Sequence, residues 1–390
     1  MTDREIRFAE IQAEFLPDDL LERIRGRAAA YDRENRFFQE DFDELVEHGY
    51  LKLFVPKDMG GPGLGMNEVS RLQQVLAKAA PATALGINMH LVWTGVARAL
   101  LERGDDSHRF VLEETAAGEV FAFGVSEPGN DLVLYGSTTA AVPTGDGGYR
   151  FTGKKIFTSL SPVWTRLGAH GLDEIDPEDK RIVYGFIERG EDGIAVSEHW
   201  DPMGMRATQS RSTTLTDVPM RADRVTRRIP DGMTPDSLTF AINAHFQLLI
   251  ASVYTGLAAR ALELAGEALH KRASRKNEVT YAELPEFRDR VADAAILYES
   301  VPPQLDSYTR DFDDLVDHGA GWPRRFVGAK LRATEMARRV VEDAFRCAGG
   351  AAFDNSSELN RLYRDALAGM FHPSGWDGAR PLFAGAYLDQ

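Results

Sequence analysis

Apolar residues recur every three or four positions through "DDLLERIRGRAAAYDRENRFFQEDFDELVEHGYLKLFVP", the period of amphipathic helices. Pro56 and "GGPGLG" (60–65) interrupt this texture, which resumes from Met66 to about Leu101. From residue 121 the pattern changes to short β-branched or aromatic runs bounded by Gly, Pro and Asp: "FAFGVSEPG", "YRFTGKKIFTS", "RIVYGFIE" and "RSTTLTDVPM". Such runs predict strands packed as an antiparallel barrel or sandwich. The helical period returns near residue 238 with "GLAARALELAGEALHKR", "LPEFRDRVADAAILYES", "WPRRFVGAKLRATEMARRVVEDAFRCAGG" and "SSELNRLYRDALAGMF". Four long helices in series predict a bundle, with "VPPQ" (301–304) bending or interrupting the second. The expected fold is mainly α with a central β-domain. Its parts are an N-terminal helical domain (1–120), a middle β-barrel or sandwich (121–235) and a C-terminal four-helix bundle (236–390).

Composition narrows the function classes. The chain has 390 residues, 43% apolar and 27% charged, as expected of a globular protein with more than one cooperating core. A net charge of −15 repels phosphate backbones, so no nucleic-acid partner is expected. The longest apolar stretch, "FAINAHFQLLIASVYTGLAARAL", carries Asn243, His245, Gln247 and Arg260, which marks a buried helix rather than a membrane span. The charged start "MTDREIRFAEI" and the lone Cys347 suit a reducing, cytoplasmic setting. The nine His include no His-x-His or His-x-x-x-His pair, and no metal site is expected.

Five motifs carry the chemistry: "GVSEPGND" (124–131), "GKKIFTS" (153–159), "DPMGMRATQS" (201–210), "CAGGAAF" (347–353) and "LYRDA" (362–366). Read locally, the first is a strand ending in a turn, and the fourth is a helix stop with a glycine in the left-handed region. "KIFTS" puts Phe157 and Ser159 on one face of a strand, because side chains alternate with period two.

In this order on a helix–strand–helix framework, the five motifs resemble the acyl-CoA dehydrogenase family over essentially the whole chain. The resemblance implies FAD held between sheet and bundle, in homodimers or homotetramers. It also implies an enzyme that takes a hydride from Cβ of an acyl thioester while a carboxylate removes the α-proton. Val125 and Ser126 fall where the family bonds the polar edge of the flavin ring, the kind of contact that tunes a flavin. Phe157 and Ser159 replace a Trp-x-Thr that covers and bonds it. Arg206 and Thr208 fall on the flavin side of the substrate cavity. Gly349 and Gly350 match backbone that approaches FAD of the neighbouring subunit, with Arg346 where the family favours Gln. Arg272 matches an Arg that reaches FAD across the dimer, although Arg275 replaces the Phe that usually follows it.

The base is where the chain departs from the family. The usual Glu stands nine residues after the Arg of the "RD" pair; counting from Arg364 reaches Pro373. Some relatives carry it on the first bundle helix, where this chain has Phe246 and Gln247, expected to line the substrate site. His372 stands one residue before the vacant place, and "RDALAGMFHPS" is similar to the ending of the family's flavin-dependent monooxygenases. Those enzymes take reduced flavin from a reductase and hydroxylate an aromatic ring or an amine. Imidazole titrates near neutrality and suits such work.

Three functions follow as expectations. The first is dehydrogenation of an acyl thioester on CoA or acyl-carrier protein, with an atypical base and an electron-transfer flavoprotein as partner. The alternative is a two-component monooxygenase using exchangeable reduced flavin (FAD or FMN), O2 and His372 as the acid–base group. The last is a catalytically silent flavin- or acyl-binding protein.

Overall fold

The computed structural model describes Thr2–Asp389. Six helices come first: α1 (Asp3–Phe15), α2 (Asp18–Glu34), α3 (Gln39–Glu47), α4 (Met66–Ala79), α5 (Pro81–Glu102) and α6 (Arg109–Ala117). Eight strands follow: β1 (Phe121–Gly124), β2 (Ala140–Pro143), β3 (Tyr149–Thr158), β4 (Arg166–Asp173), β5 (Arg181–Glu188), β6 (Ile194–Val196), β7 (Arg211–Met220) and β8 (Val225–Pro230). After the long helix α7 (Ser237–Lys271) come α8 (Pro285–Glu299), α9 (Pro302–Asp313), α10 (Trp322–Ala348), α11 (Glu358–Leu367) and α12 (Trp376–Leu388).

The strands form one mixed sheet in the order β6-β7-β3-β2-β4-β5-β8, and β1 pairs parallel with β4. This corrects the all-antiparallel expectation. The segment 125–139 carries the chain away from β1, and two further strands form before β4 returns beside it, which is the long connection a parallel pair requires.

Helices α5 and α7 cross the middle of the molecule. Each is long and apolar enough to span a bilayer, but they bury 89% and 72% of their most apolar stretches inside the fold. A helix apolar on every side belongs in a core. Pro81 starts α5 at a position where its missing N–H costs nothing. Gly256 lets α7 approach α4, since a Cβ there would lie 2.1 Å from the Gln74 carbonyl oxygen. Pro302 splits the second bundle helix into α8 and α9, as the prolines foretell.

One helix was not expected. The helical period was read no further than "SSELNRLYRDALAGMF", yet residues 376–388 form α12 despite Pro381 inside it. Ala379 and Phe383 pack against Val327 and Leu331 of α10, and this apolar contact sustains the helix.

Candidate active site

A cavity of about 940 Å³ opens between three elements: the segment Phe123–Tyr135, the first turns of α7, and residues 370–378 after α11. Its walls include Val125, Ser126, Phe246, Gln247 and His372, so the structure brings five of the sequence-derived candidates together. Phe123 and Phe246 stack with ring centres 5.6 Å apart and planes 23° from parallel, making a flat apolar wall. Gln247 is 3% exposed, and its amide oxygen has no hydrogen-bond partner among the described residues.

His372 is half-buried beside this space. Its Nε2 lies 2.9 Å from the hydroxyl of Tyr254, a fully buried residue of α7, and the two rings meet edge to face. Behind it, buried Lys330 of α10 donates to the carbonyl oxygens of His372 (2.5 Å) and Ser374 (3.2 Å). Among the described residues no carboxylate pairs with Lys330, and burial lowers its pKa to about 8. Burial, together with the nearby Lys330 charge, lowers that of His372 to about 3. Burial and the Lys330 charge thus both favour the uncharged imidazole, where the sequence by itself suggests titration near neutrality. Tyr254, read from the sequence as packing alone, is the partner that orients it.

A second charged cluster supports the opposite wall. Glu127 and Lys155 form an ion pair with both side chains wholly buried. Glu127 also accepts from Ser137 Oγ (2.7 Å), the Thr138 N–H (2.8 Å) and Thr139 Oγ1 (2.6 Å). Lys155 donates to the His170 carbonyl oxygen at 2.6 Å, and His170 Nε2 lies 2.9 Å from the Val133 carbonyl oxygen. Burial alone would raise the Glu127 carboxyl, but the Lys155 charge overrides it and holds the group ionised, well below its usual range. The knot pins residues 127–139, including the stretch 131–135 that lines the cavity. The Ser-Glu-Pro motif was the available signal for it, but the sequence reading stopped at Ser126.

Other candidates lie elsewhere. Phe157 and Ser159 do not share a strand face. β3 changes register between Lys155 and Thr158, Phe157 has φ +55°, and the strand ends at Thr158. Phe157 is 59% exposed and edge-on to Trp200, while Ser159 bonds Ser210 Oγ at 2.7 Å. Arg206 and Thr208 do not line the cavity either. The Arg206 guanidinium bonds the Asp32 carbonyl oxygen (2.9 Å) and Asp201 (2.8 Å), and Thr208 Oγ1 donates to the Met205 carbonyl oxygen (2.9 Å). Arg206 secures the loop against α2, and the Thr208 bond closes a turn within the loop. The "RD" pair joins in: Arg364 grips Asp32, and Asp365 accepts the Met205 N–H at 2.5 Å.

Arg272 sits at the distant end of α7. It donates to the Cys347 carbonyl oxygen, lies over the Tyr281 ring at 4.1 Å, and faces Gly349 at φ +70°. Gly350 is open beside it, and Arg346 is exposed and paired with Glu342 at 2.5 Å. These four residues form a group at the end of α10, apart from the cavity.

Comparison with known proteins agrees with this architecture. L-Evernosamine nitrososynthase of a Micromonospora species is 27% identical over 369 residues, covering 90% of this chain and 84% of that protein. The structure of KijD3 in complex with FMN and a dTDP-linked amino keto sugar superposes with a TM-score of 0.86 at 25% identity, covering 100% of this chain and 95% of that one. Butyryl-CoA dehydrogenase from Megasphaera elsdenii shares the fold, with a TM-score of 0.86 at 19% identity over 100% and 99% of the two chains. Residues 13–119 match the family model described as acyl-CoA dehydrogenase, N-terminal domain, and residues 248–374 match the one described as acyl-CoA dehydrogenase, C-terminal domain. Helical start, central sheet, bundle and both matched segments lead to one assignment: the chain belongs to the acyl-CoA dehydrogenase family, a family of flavoprotein oxidoreductases.

Proposed function

We propose that this chain is a flavin-dependent monooxygenase that oxidises the nitrogen of an amine. The observation that carries this reading is the pair Tyr254–His372: an uncharged imidazole, 2.9 Å from its phenol partner, beside a largely apolar cavity. Neither place where the family keeps its base holds a carboxylate, because Pro373 and the Phe246–Gln247 pair occupy them. Relatives that act on amino sugars support the choice of nitrogen over carbon.

The cavity suits a flavin. The stacked Phe123–Phe246 wall matches a flat ring, and Val125 and Ser126 at its edge offer backbone and hydroxyl partners. Held by Phe123, Val125, Ser126 and Phe246, a reduced flavin provided by a separate reductase would supply the two electrons and two protons with which O2 gives one oxygen atom to the amine nitrogen, N–H becoming N–OH, and the other to water. This chain's residues prepare the substrate. Its apolar walls exclude water and favour the free amine over the ammonium, as burial does for Lys330. His372 hydrogen-bonds without carrying charge, Tyr254 sets its ring, and Lys330 anchors the backbone on either side of Pro373.

The test supplies enzymatically reduced FMN, isotopically labelled O2 and a panel of primary amines. The expected product is a hydroxylamine carrying one labelled oxygen. Anaerobic bleaching of bound flavin by acyl-CoAs, with no labelled amine product, would overturn the proposal in favour of dehydrogenation.

A further inference from the structure

We propose that Tyr254 fixes His372 in the tautomer that carries its proton on Nδ1, so that the imidazole meets the cavity as a hydrogen-bond donor and seats a ligand oxygen there. The tautomer follows from this chain's own residues. The choice of an oxygen on the reacting nitrogen rests on the amine-oxidation reading above.

Three observations carry it. Tyr254 has no exposed surface, and its hydroxyl finds one hydrogen-bond partner among the described residues, Nε2 of His372 at 2.9 Å. A phenol hydrogen buried away from water needs an acceptor, and Nε2 accepts only when it carries no proton of its own. A proton on Nε2 would point at the phenol oxygen and leave the buried O–H unpaired. Next, burial and the Lys330 charge disfavour a second proton on the ring, so a single nitrogen carries hydrogen. Finally, Nδ1 has no partner among the described residues yet keeps accessible surface, on a residue that lines the cavity. Lys330 holds the His372 and Ser374 carbonyl oxygens, which fixes the backbone from which Nδ1 is presented. The same logic gives the opposite result elsewhere in the molecule. His90 and His170 set Nε2 against the carbonyl oxygens of Leu51 and Val133, which only accept, so there the proton sits on Nε2. A neutral imidazole with its hydrogen on Nδ1 cannot take a proton through that atom. His372 therefore donates to the oxygen that the amine nitrogen acquires, and leaves the nitrogen lone pair free to react.

Histidine-selective nitrogen isotope labelling of the flavin-loaded protein tests this by magnetic resonance, with the His372 signals identified by their loss in His372→Asn. The expected spectrum has a protonated nitrogen at Nδ1 and an unprotonated one at Nε2. Tyr254→Phe should abolish that preference and average the two signals, which loss of packing alone would not do. Calorimetry on the same protein compares N,N-dimethylhexylamine N-oxide, whose oxygen only accepts, with N,N-dimethylhexylamine. The N-oxide is expected to bind more tightly, and Tyr254→Phe should weaken it about tenfold, the worth of one lost hydrogen bond, while leaving the amine nearly unchanged. A proton on Nε2 in the wild-type protein would overturn the proposal, as would N-oxide affinity that Tyr254→Phe leaves unchanged. Amine oxidation fails separately: if the nitrogen signals and the N-oxide behave as described but no labelled hydroxylamine forms, the reaction falls and the donor assignment stands.

Discussion

Two regions of this molecule set a buried lysine beside a histidine and use the pair differently. In the β-domain, Lys155 meets a carboxylate, Glu127, and His170 meets backbone carbonyls; hydroxyls and an N–H complete the carboxylate's shell. In the bundle, Lys330 meets only carbonyl oxygens among the described residues, and the His372 ring meets the Tyr254 hydroxyl beside open space. The first arrangement is charge-balanced and closed. The second holds an uncompensated cation and a neutral imidazole beside a cavity. The closed cluster holds a wall in place, and the open one is where a ligand can gain an interaction the protein has not already made.

Substitutions test that contrast. Lys155→Met is expected to have the largest effect, because it leaves the Glu127 carboxylate buried without its counter-ion. Breaking a buried pair from one side typically costs about 3–5 kcal/mol, measurable by urea unfolding. Adding Glu127→Gln should recover part of the loss; no recovery would mean that the pair is not the unit that matters.

Next comes His372→Ala, which should reduce turnover roughly a hundredfold or more while leaving unfolding midpoint and flavin affinity nearly unchanged. Tyr254→Phe should give a smaller loss of about tenfold in kcat, since the imidazole remains but loses its orienting partner. Equal effects of Lys155→Met and His372→Ala on stability would erase the distinction between the two regions.

The smallest and broadest effect concerns pH. His90, His108, His170 and His245 are fully buried, and burial lowers their pKa values to about 4, 3, 3 and 3. The unfolded chain takes up these protons near pH 6.5 and the folded chain does not. Stability is therefore fully present above about pH 6.5 and falls steadily as pH drops toward the folded values. Thermal unfolding between pH 7.5 and 5 should show this decline, and His170→Asn should flatten it. A flat profile in the wild-type protein would contradict neutral burial of these rings.

The order of helices, strands and helices was legible because period 3.6 and period 2 leave different marks, and each run was long enough to show its mark. The assembly of Ser126, Phe246, Gln247 and His372 at one cavity agrees with what the resemblance of the motifs to the family implies. Other readings failed for local reasons. A register shift and a left-handed residue took Phe157 off the face that alternation assigned to it. Arg206 was spent on a loop contact with α2, which no spacing along the chain announces. Helix α12 was hidden by Pro381 and two glycines, and only the apolar patch on α10 makes that segment helical.

The sequence by itself determined the fold class, the family and the vacancy at Pro373, since all three are written in residue types at fixed spacing. The environment of His372, its partnership with Tyr254, the lysine behind it and the largely apolar lining of the cavity were decided by tertiary structure. The physical reason is that pKa values and hydrogen-bond satisfaction depend on what surrounds a group in three dimensions, and Tyr254, Lys330 and His372 come from elements far apart in the chain.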